Sequence, residues 1–163
     1  MKTNAISKFY KECHKFNDVA GKLDGLTIRD VHNQLALIKE ELDETFHDYQ
    51  VEDYEGVLDG CSDLMVTVAG FCLILEKLGF NVDGALLETA NNNLTKFIEG
   101  SDCDLVDKTI QHYKDQGIET EAVYNSDNDL FVIKDKNNKI RKPLGFVSNS
   151  LVQFLPEQVK QKV

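Results

Sequence analysis

The stretch Ile38–Gly70, IKEELDETFHDYQVEDYEGVLDGCSDLMVTVAG, decides what this chain builds. Its first half carries acids at three- and four-residue intervals, and its second half becomes a nearly unbroken apolar run. Apolar residues recurring at Val31, Leu35, Ile38, Leu42, Phe46 and Tyr49 mark one stripe of an amphipathic helix. A turn near Gln50–Tyr54 separates it from a further helix over about Glu55–Leu78, whose centre LMVTVAGFCLIL is apolar nearly all round and therefore calls for burial on several sides, a subunit interface among them. So short a connection implies two antiparallel helices.

Working outward, the absence of proline before Pro143 leaves long helices uninterrupted. Ile6, Phe9, Tyr10 and Cys13 share one side of a helix over Ala5–Phe16, and Asn17–Gly25 reads as a loop. Thr27 caps the second helix, with Asp30 three positions on as an imperfect capping box. Gly79 ends the third helix. A fourth is expected from Asp83 through Leu94, Phe97 and Ile98 to Gly100, and a fifth over Leu105–Gln116, closed by Gly117. Beyond it the period changes to two, and IETEAVY and DLFVIKD flank the polar turn NSDN as a hairpin. The tail KNNKIRKPLGFVSNS is basic and irregular, with one helical turn over Leu151–Leu155. The expected fold is all-α, an antiparallel helical bundle over residues 1–117 with a small hairpin and tail over 118–163 in the same domain.

With 42% hydrophobic and 28% charged residues the chain has the composition of a soluble globular protein, not of a disordered one. Its net charge of −10, from 18 basic and 28 acidic residues, argues against nucleic acid as main partner, since such binding rests on basic patches. Cys13, Cys61, Cys72 and Cys103 show no C-x-x-C spacing, so neither a zinc site nor a disulfide framework is indicated. The first residues lack a signal peptide's apolar core, and the greasiest run, Leu64–Leu75, falls short of the ~20 residues that span a bilayer. A cytoplasmic location is expected.

The acids are the chemical content. Glu41 and Glu44 are separated by ~60° around a helix axis and ~4.5 Å along it, near enough to share a cation, with Glu40 and Asp48 beside the same line. Asp59 and Asp63 are one turn apart on the next helix, and Asp63 shares its side with Thr67, Gly70 and Ile74. Across an antiparallel pair these acidic edges meet, and like charges that close repel unless protonated or bridged by metal. A set made only of carboxylates favours hard Mg²⁺ or Mn²⁺. The simpler alternative is a solvated acidic face, with Asp59 favoured in the first turn by the helix dipole. Glu44 and His47 also form one Glu-x-x-His unit, but a di-iron bundle needs that unit twice and only one is present.

The pattern resembles the all-α nucleoside triphosphate pyrophosphohydrolases, the MazG-like and phosphoribosyl-ATP pyrophosphohydrolase-like group, marked by E-x-x-E on one helix and E-x-x-D on the next. EELDE supplies Glu40, Glu41 and Glu44; LDGCSDLMVTVAG supplies Asp63; LGFNVD is similar to the break before the next helix; NNNLTKF is similar to the N-x-x-K-F stretch with Asn93 and Lys96. The similarity covers about residues 28–98, and the tail KIRKPLGFVSNSL more loosely resembles those of phage-type members. One departure stands out: Gly60 occupies the place of the second motif's glutamate, so Asp59 substitutes or that ligand is missing. The resemblance implies Mg²⁺-dependent hydrolysis of a nucleoside triphosphate to monophosphate and pyrophosphate in a homodimer or homotetramer. It also implies that Glu41, Glu44, Asp59 and Asp63 hold metal and that Glu40 or Glu44 handles the attacking water. Asn93 and Lys96 would bind substrate. A catalytically inactive nucleotide-binding module, a purely structural helical dimer, and a phosphoribosyl-ATP-like or alarmone substrate stay open beside it.

Overall fold

The structure, a computed structural model, describes residues 3–160. It is mainly helical with a small antiparallel sheet, and the described residues divide into two compact units, 3–82 with 154–160 and 83–153.

The first unit holds α1 (Thr3–Val19), α2 (Ile28–Gln50) and α3 (Tyr54–Lys77), joined near its end by the one-turn helix Glu157–Lys160. The capping box at the start of α2 is complete: the Thr27 hydroxyl accepts from Arg29 N, and Asp30 Oδ2 accepts from Thr27 N at 2.8 Å. After Gln50 the chain reverses within three residues. Glu52 takes the left-handed conformation (φ 60°), and Asp53 caps α3 by accepting from Gly56 N at 3.0 Å. α2 and α3 then run antiparallel as the main packing pair, and α1 lies on α3 with Tyr10 Oη donating to Glu76 Oε1 at 3.0 Å.

Burial in this unit is less than the patterning implies. In α3 only Ala69, Gly70, Leu73 and Ile74 are buried, and α2 has no fully buried residue. Val31 and Ile38 of the α2 stripe are half-buried, whereas Leu42 and Phe46 are 54% and 59% exposed, and Leu58 of α3 is 70% exposed. One chain supplies too few neighbours to cover the stripe. The 24-residue α3 is also long and apolar enough to cross a membrane by length and composition, a condition that the Leu64–Leu75 run alone does not meet and that core helices also satisfy.

The second unit contains nearly all of α4 (Val82–Leu94), then β1 (Ile98–Glu99), α5 (Cys103–Asp115), β2 (Thr120–Asn125) and β3 (Leu130–Asp135). The strands lie in the order β1-β3-β2, all antiparallel, with Ile98 opposite Phe131 and Ala122 opposite Ile133. The expected hairpin is present. The expected fourth helix is not continuous to Gly100: it stops at Leu94, and Ile98 becomes a strand residue because β3 offers it a ladder and a core. Ile98, Val106 and Ile133 form that core, with Leu105, Ile110, Ala122 and Phe131 around them. α5 starts two residues earlier on its cap, Asp102, whose Oδ1 accepts from Leu105 N.

The basic tail is tied to this unit. Arg141 forms a two-pronged bond to Asp135 Oδ2 (3.0 and 2.6 Å), and Asp135 Oδ1 also accepts from Asn137 N and Lys139 N. Tyr113 Oη donates to Lys142 O at 2.8 Å, and the fully buried Thr109 hydroxyl accepts from Leu144 N at 3.0 Å. The helical turn expected at Leu151–Leu155 is a 3-10 turn over Val152–Phe154.

Candidate metal centre

Three glycines on α3 define its register against α2. A Cβ on Gly56 would lie 2.7 Å from Asp48 Oδ2; one on Gly60, 2.2 Å from Thr45 Oγ1; and one on Gly70, 3.1 Å from Gln34 Nε2. Near the last, Gln34 Nε2 also donates to Thr67 O at 2.8 Å. Each step along α2 is matched by an opposite step along α3, so Glu41, one turn before Thr45, falls opposite Asp63 and Leu64. Gly60 thus has a packing role. Its missing side chain leaves the space that Thr45 fills, and a larger residue there would meet the Thr45 side chain.

Glu41 is half-buried, while Glu40, Glu44, Asp59 and Asp63 are exposed. Asp63 therefore sits at the open end of the helix side it shares with buried Gly70 and Ile74, and the apolar stretch does not enclose it. Partial desolvation raises the Glu41 carboxyl above its ordinary range, and the charges of Asp63, Glu44, Glu40 and Asp59 raise it further, in that order. Four of the acids singled out in sequence, Glu40, Glu44, Asp59 and Asp63, thus act on Glu41 through their charges. Asp59, the weakest of the four influences, also lines an open depression of ≈ 570 Å³ with Asp53, Glu55, Gly56, Leu58 and Ser62.

The chemistry of this set, carboxylates from two facing helices, suits a hard divalent cation. Its side-chain geometry is not a finished ligand shell, because among the described residues no three Asp, Glu, His or Cys side chains come together closely enough to hold one ion. Mutual repulsion favours such separation for carboxylates facing one another without a counter-charge.

Asn93 and Lys96 lie in the second unit, where Lys96 Nζ donates to Asn93 Oδ1 at 2.6 Å. This bond links the last turn of α4 to the turn that follows it. Glu44 and His47 stay a single Glu-x-x-His unit, and His47 is exposed.

Thr45 is the residue that sequence reasoning passed over. Its hydroxyl donates to Glu41 O at 2.6 Å, and its side chain occupies the Gly60 notch, so it touches the backbone of both acidic segments. The available signal was the glycine itself, since a helix interior tolerates Gly at a cost of ~1 kcal/mol relative to Ala and close approach of another helix repays it. Comparisons with protein-family models, curated proteins and solved structures find no match for this chain.

Proposed function

We propose that this chain is a Mg²⁺-dependent nucleoside triphosphate pyrophosphohydrolase of the MazG-like bundle type, with Mn²⁺ as a second usable ion. The observation that carries the reading is the electrostatic convergence on Glu41 of acids from two antiparallel helices, in the register that sets Glu41 opposite Asp63. Glu41, Glu44 and Asp63, with Asp59 at the margin, are the residues that would hold the cation. A divalent cation bound there would neutralise phosphate charge and make a water more acidic.

In the reaction a water oxygen bonds to the α-phosphorus while the bond from that phosphorus to the α,β-bridging oxygen breaks, releasing monophosphate and pyrophosphate. Glu40 or Glu44, both exposed, would orient that water and take its proton. For Lys96 the proposed role is to neutralise phosphate and for Asn93 to hydrogen-bond phosphate or sugar, and the bond from Lys96 Nζ to Asn93 Oδ1 leaves two ammonium N–H donors and the Asn93 amide N–H groups for that purpose. A homodimer or homotetramer belongs to the same proposal, supported by the exposed apolar residues Leu42, Phe46, Tyr49 and Leu58 along α2 and α3.

The separation of the carboxylates, together with Gly60, favours one competing reading: a helical module that binds nucleotide or pairs with a second copy without catalysis. Incubation with a nucleotide panel and Mg²⁺ separates the two. Pyrophosphate release that Glu41→Gln abolishes supports the hydrolase, and saturable nucleotide binding without product supports the competitor.

A further inference from the structure

We infer that α3 pairs with the α3 of a second copy, antiparallel about a twofold axis at residue 63, along the side that carries Tyr54, Leu58, Cys61, Met65, Val68 and Cys72. This goes beyond the functional reading, because it gives self-association a surface and a register that do not depend on what the acids bind. The residues are spaced by four, three, four, three and four, the seven-residue repeat of a seam between two helices. Tyr54, Leu58, Met65 and Val68 stay 40% to 70% exposed and Cys61 is exposed, while Cys72 is half-buried where the repeat ends. α2 does not reach them: Gly56, Gly60 and Gly70, which meet α2, stand about 120–160° around the α3 axis from the seam.

Three observations choose a second copy as the occupant. The spacing reads the same in both directions, so an antiparallel copy sets Tyr54 against Cys72, Leu58 against Val68 and Cys61 against Met65, each contact made twice, as a twofold interface requires. No acid then faces an acid along the seam: Asp59 falls level with Thr67 and Glu55 with Phe71, and Asp63 lies about 180° around the helix from the seam. The uncovered parts of the seam side chains come to about 500 Å² per copy, from ~150–250 Å² for a whole aromatic side chain and less for the others, so the pair reaches the ~1,000 Å² that a specific interface needs. A lipid surface is the weaker match, although α3 is long and apolar enough to cross a membrane. Helices that lie on membranes carry Lys and Arg on their polar face, and α3 carries Glu55, Asp59, Asp63 and Glu76 against Lys77 alone.

The test is sedimentation velocity of the full chain without nucleotide or metal, which should show a concentration-dependent dimer by ~100 μM, the range open to an interface near the lower size limit. Leu58→Arg, at a side chain already 70% exposed, should leave the helical circular dichroism unchanged and weaken the dimer ~30-fold or more, as loss of an anchor residue does. Should that variant fail to fold, Val68→Arg takes its place. The register is read by mixing two proteins that both carry Cys72→Ala and Cys103→Ala, one keeping Cys61 and the other carrying Cys61→Ser with Met65→Cys; Cys13 is buried and stays. Mild oxidation should link chiefly one protein to the other, as intact mass distinguishes. A wild type that stays monomeric over that range, a dimer that Leu58→Arg leaves intact but Leu42→Arg dissolves, or disulfides joining like with like overturns the inference. Wild-type monomers that float with phosphatidylcholine vesicles, and lose that property on Leu58→Arg, overturn it in favour of lipid. Pyrophosphate release by a monomer removes the pairing and leaves the hydrolase reading, whereas a seam-paired dimer without turnover supports the pairing and removes the hydrolase.

Discussion

Replacing Gly60 by alanine sets two effects of opposite sign against each other. On an exposed helix face the change stabilises by about 1 kcal/mol, because glycine loses more backbone freedom on folding. At position 60 the added methyl would lie 2.2 Å from Thr45 Oγ1, 3.0 Å from its Cβ and 3.2 Å from its Cγ2, where carbon atoms prefer ~3.5–4.0 Å. Rotating Thr45 exchanges the colliding substituent but leaves its Cβ in place, and it sacrifices the hydroxyl's bond to Glu41 O. The helices must therefore move apart, and overpacking of this kind costs about 1–3 kcal/mol. The net expectation is a loss of roughly 0–2 kcal/mol where an unpacked glycine would have gained about 1. For a chain of this length that lowers the melting temperature by up to about 8 °C, at roughly 2–4 °C per kcal/mol. The assay is urea or thermal unfolding followed by helical circular dichroism, completed as a double-mutant cycle with Thr45→Gly. Removing the Thr45 side chain should relieve the collision, giving a coupling energy of about 0.5–3 kcal/mol. A Gly60→Ala protein more stable than wild type, or a cycle without coupling, refutes the close approach of the two helices.

Two further outcomes bear on the acids. Glu41 binds its proton more tightly when folded, so its contribution to stability falls as pH rises from the ordinary glutamate value of about 4.3 through the raised one. Glu41→Gln should therefore raise the melting temperature of metal-free protein at neutral pH and leave it unchanged well below pH ~4. At about 100 times the dissociation constant Mg²⁺ should stabilise wild type by ~2.7 kcal/mol, a gain the variant lacks; destabilisation of the metal-free variant at neutral pH would contradict this account. Asp135 shifts the other way, held below the usual carboxylate range by the Lys139 amide first and then, against desolvation, by Arg141 and the Asn137 amide. Its stabilising contribution is present above about pH 4 and disappears as pH falls through the depressed value, so Asp135→Asn should melt below wild type at neutral pH and converge with it in acid, as thermal melts across that range would register.

Local signals made much of the fold readable. The Thr27–Asp30 box and the polar NSDN turn act within a few residues, and the elements they bound stand close to where periodicity puts them. The acids likewise stood out by spacing, since three- and four-residue intervals place side chains on one helix face whatever surrounds the helix. Tertiary context decided the rest. Leu94, Phe97 and Ile98 satisfy helical spacing, yet Ile98 pairs with Phe131, a partner thirty-three positions away that no local pattern announces. The α2 stripe is a correct pattern without a complete cover inside the chain, as exposed Leu42 and Phe46 show. At Gly60 the sequence shows only a missing side chain, whereas the structure brings Thr45 against it. By itself the sequence determined which faces are acidic and which segments are helical, because propensity and periodicity act locally. Only the tertiary structure decided how close those faces come and which residue spaces them, because the distance between two helices is set by the side chains that meet at their crossing.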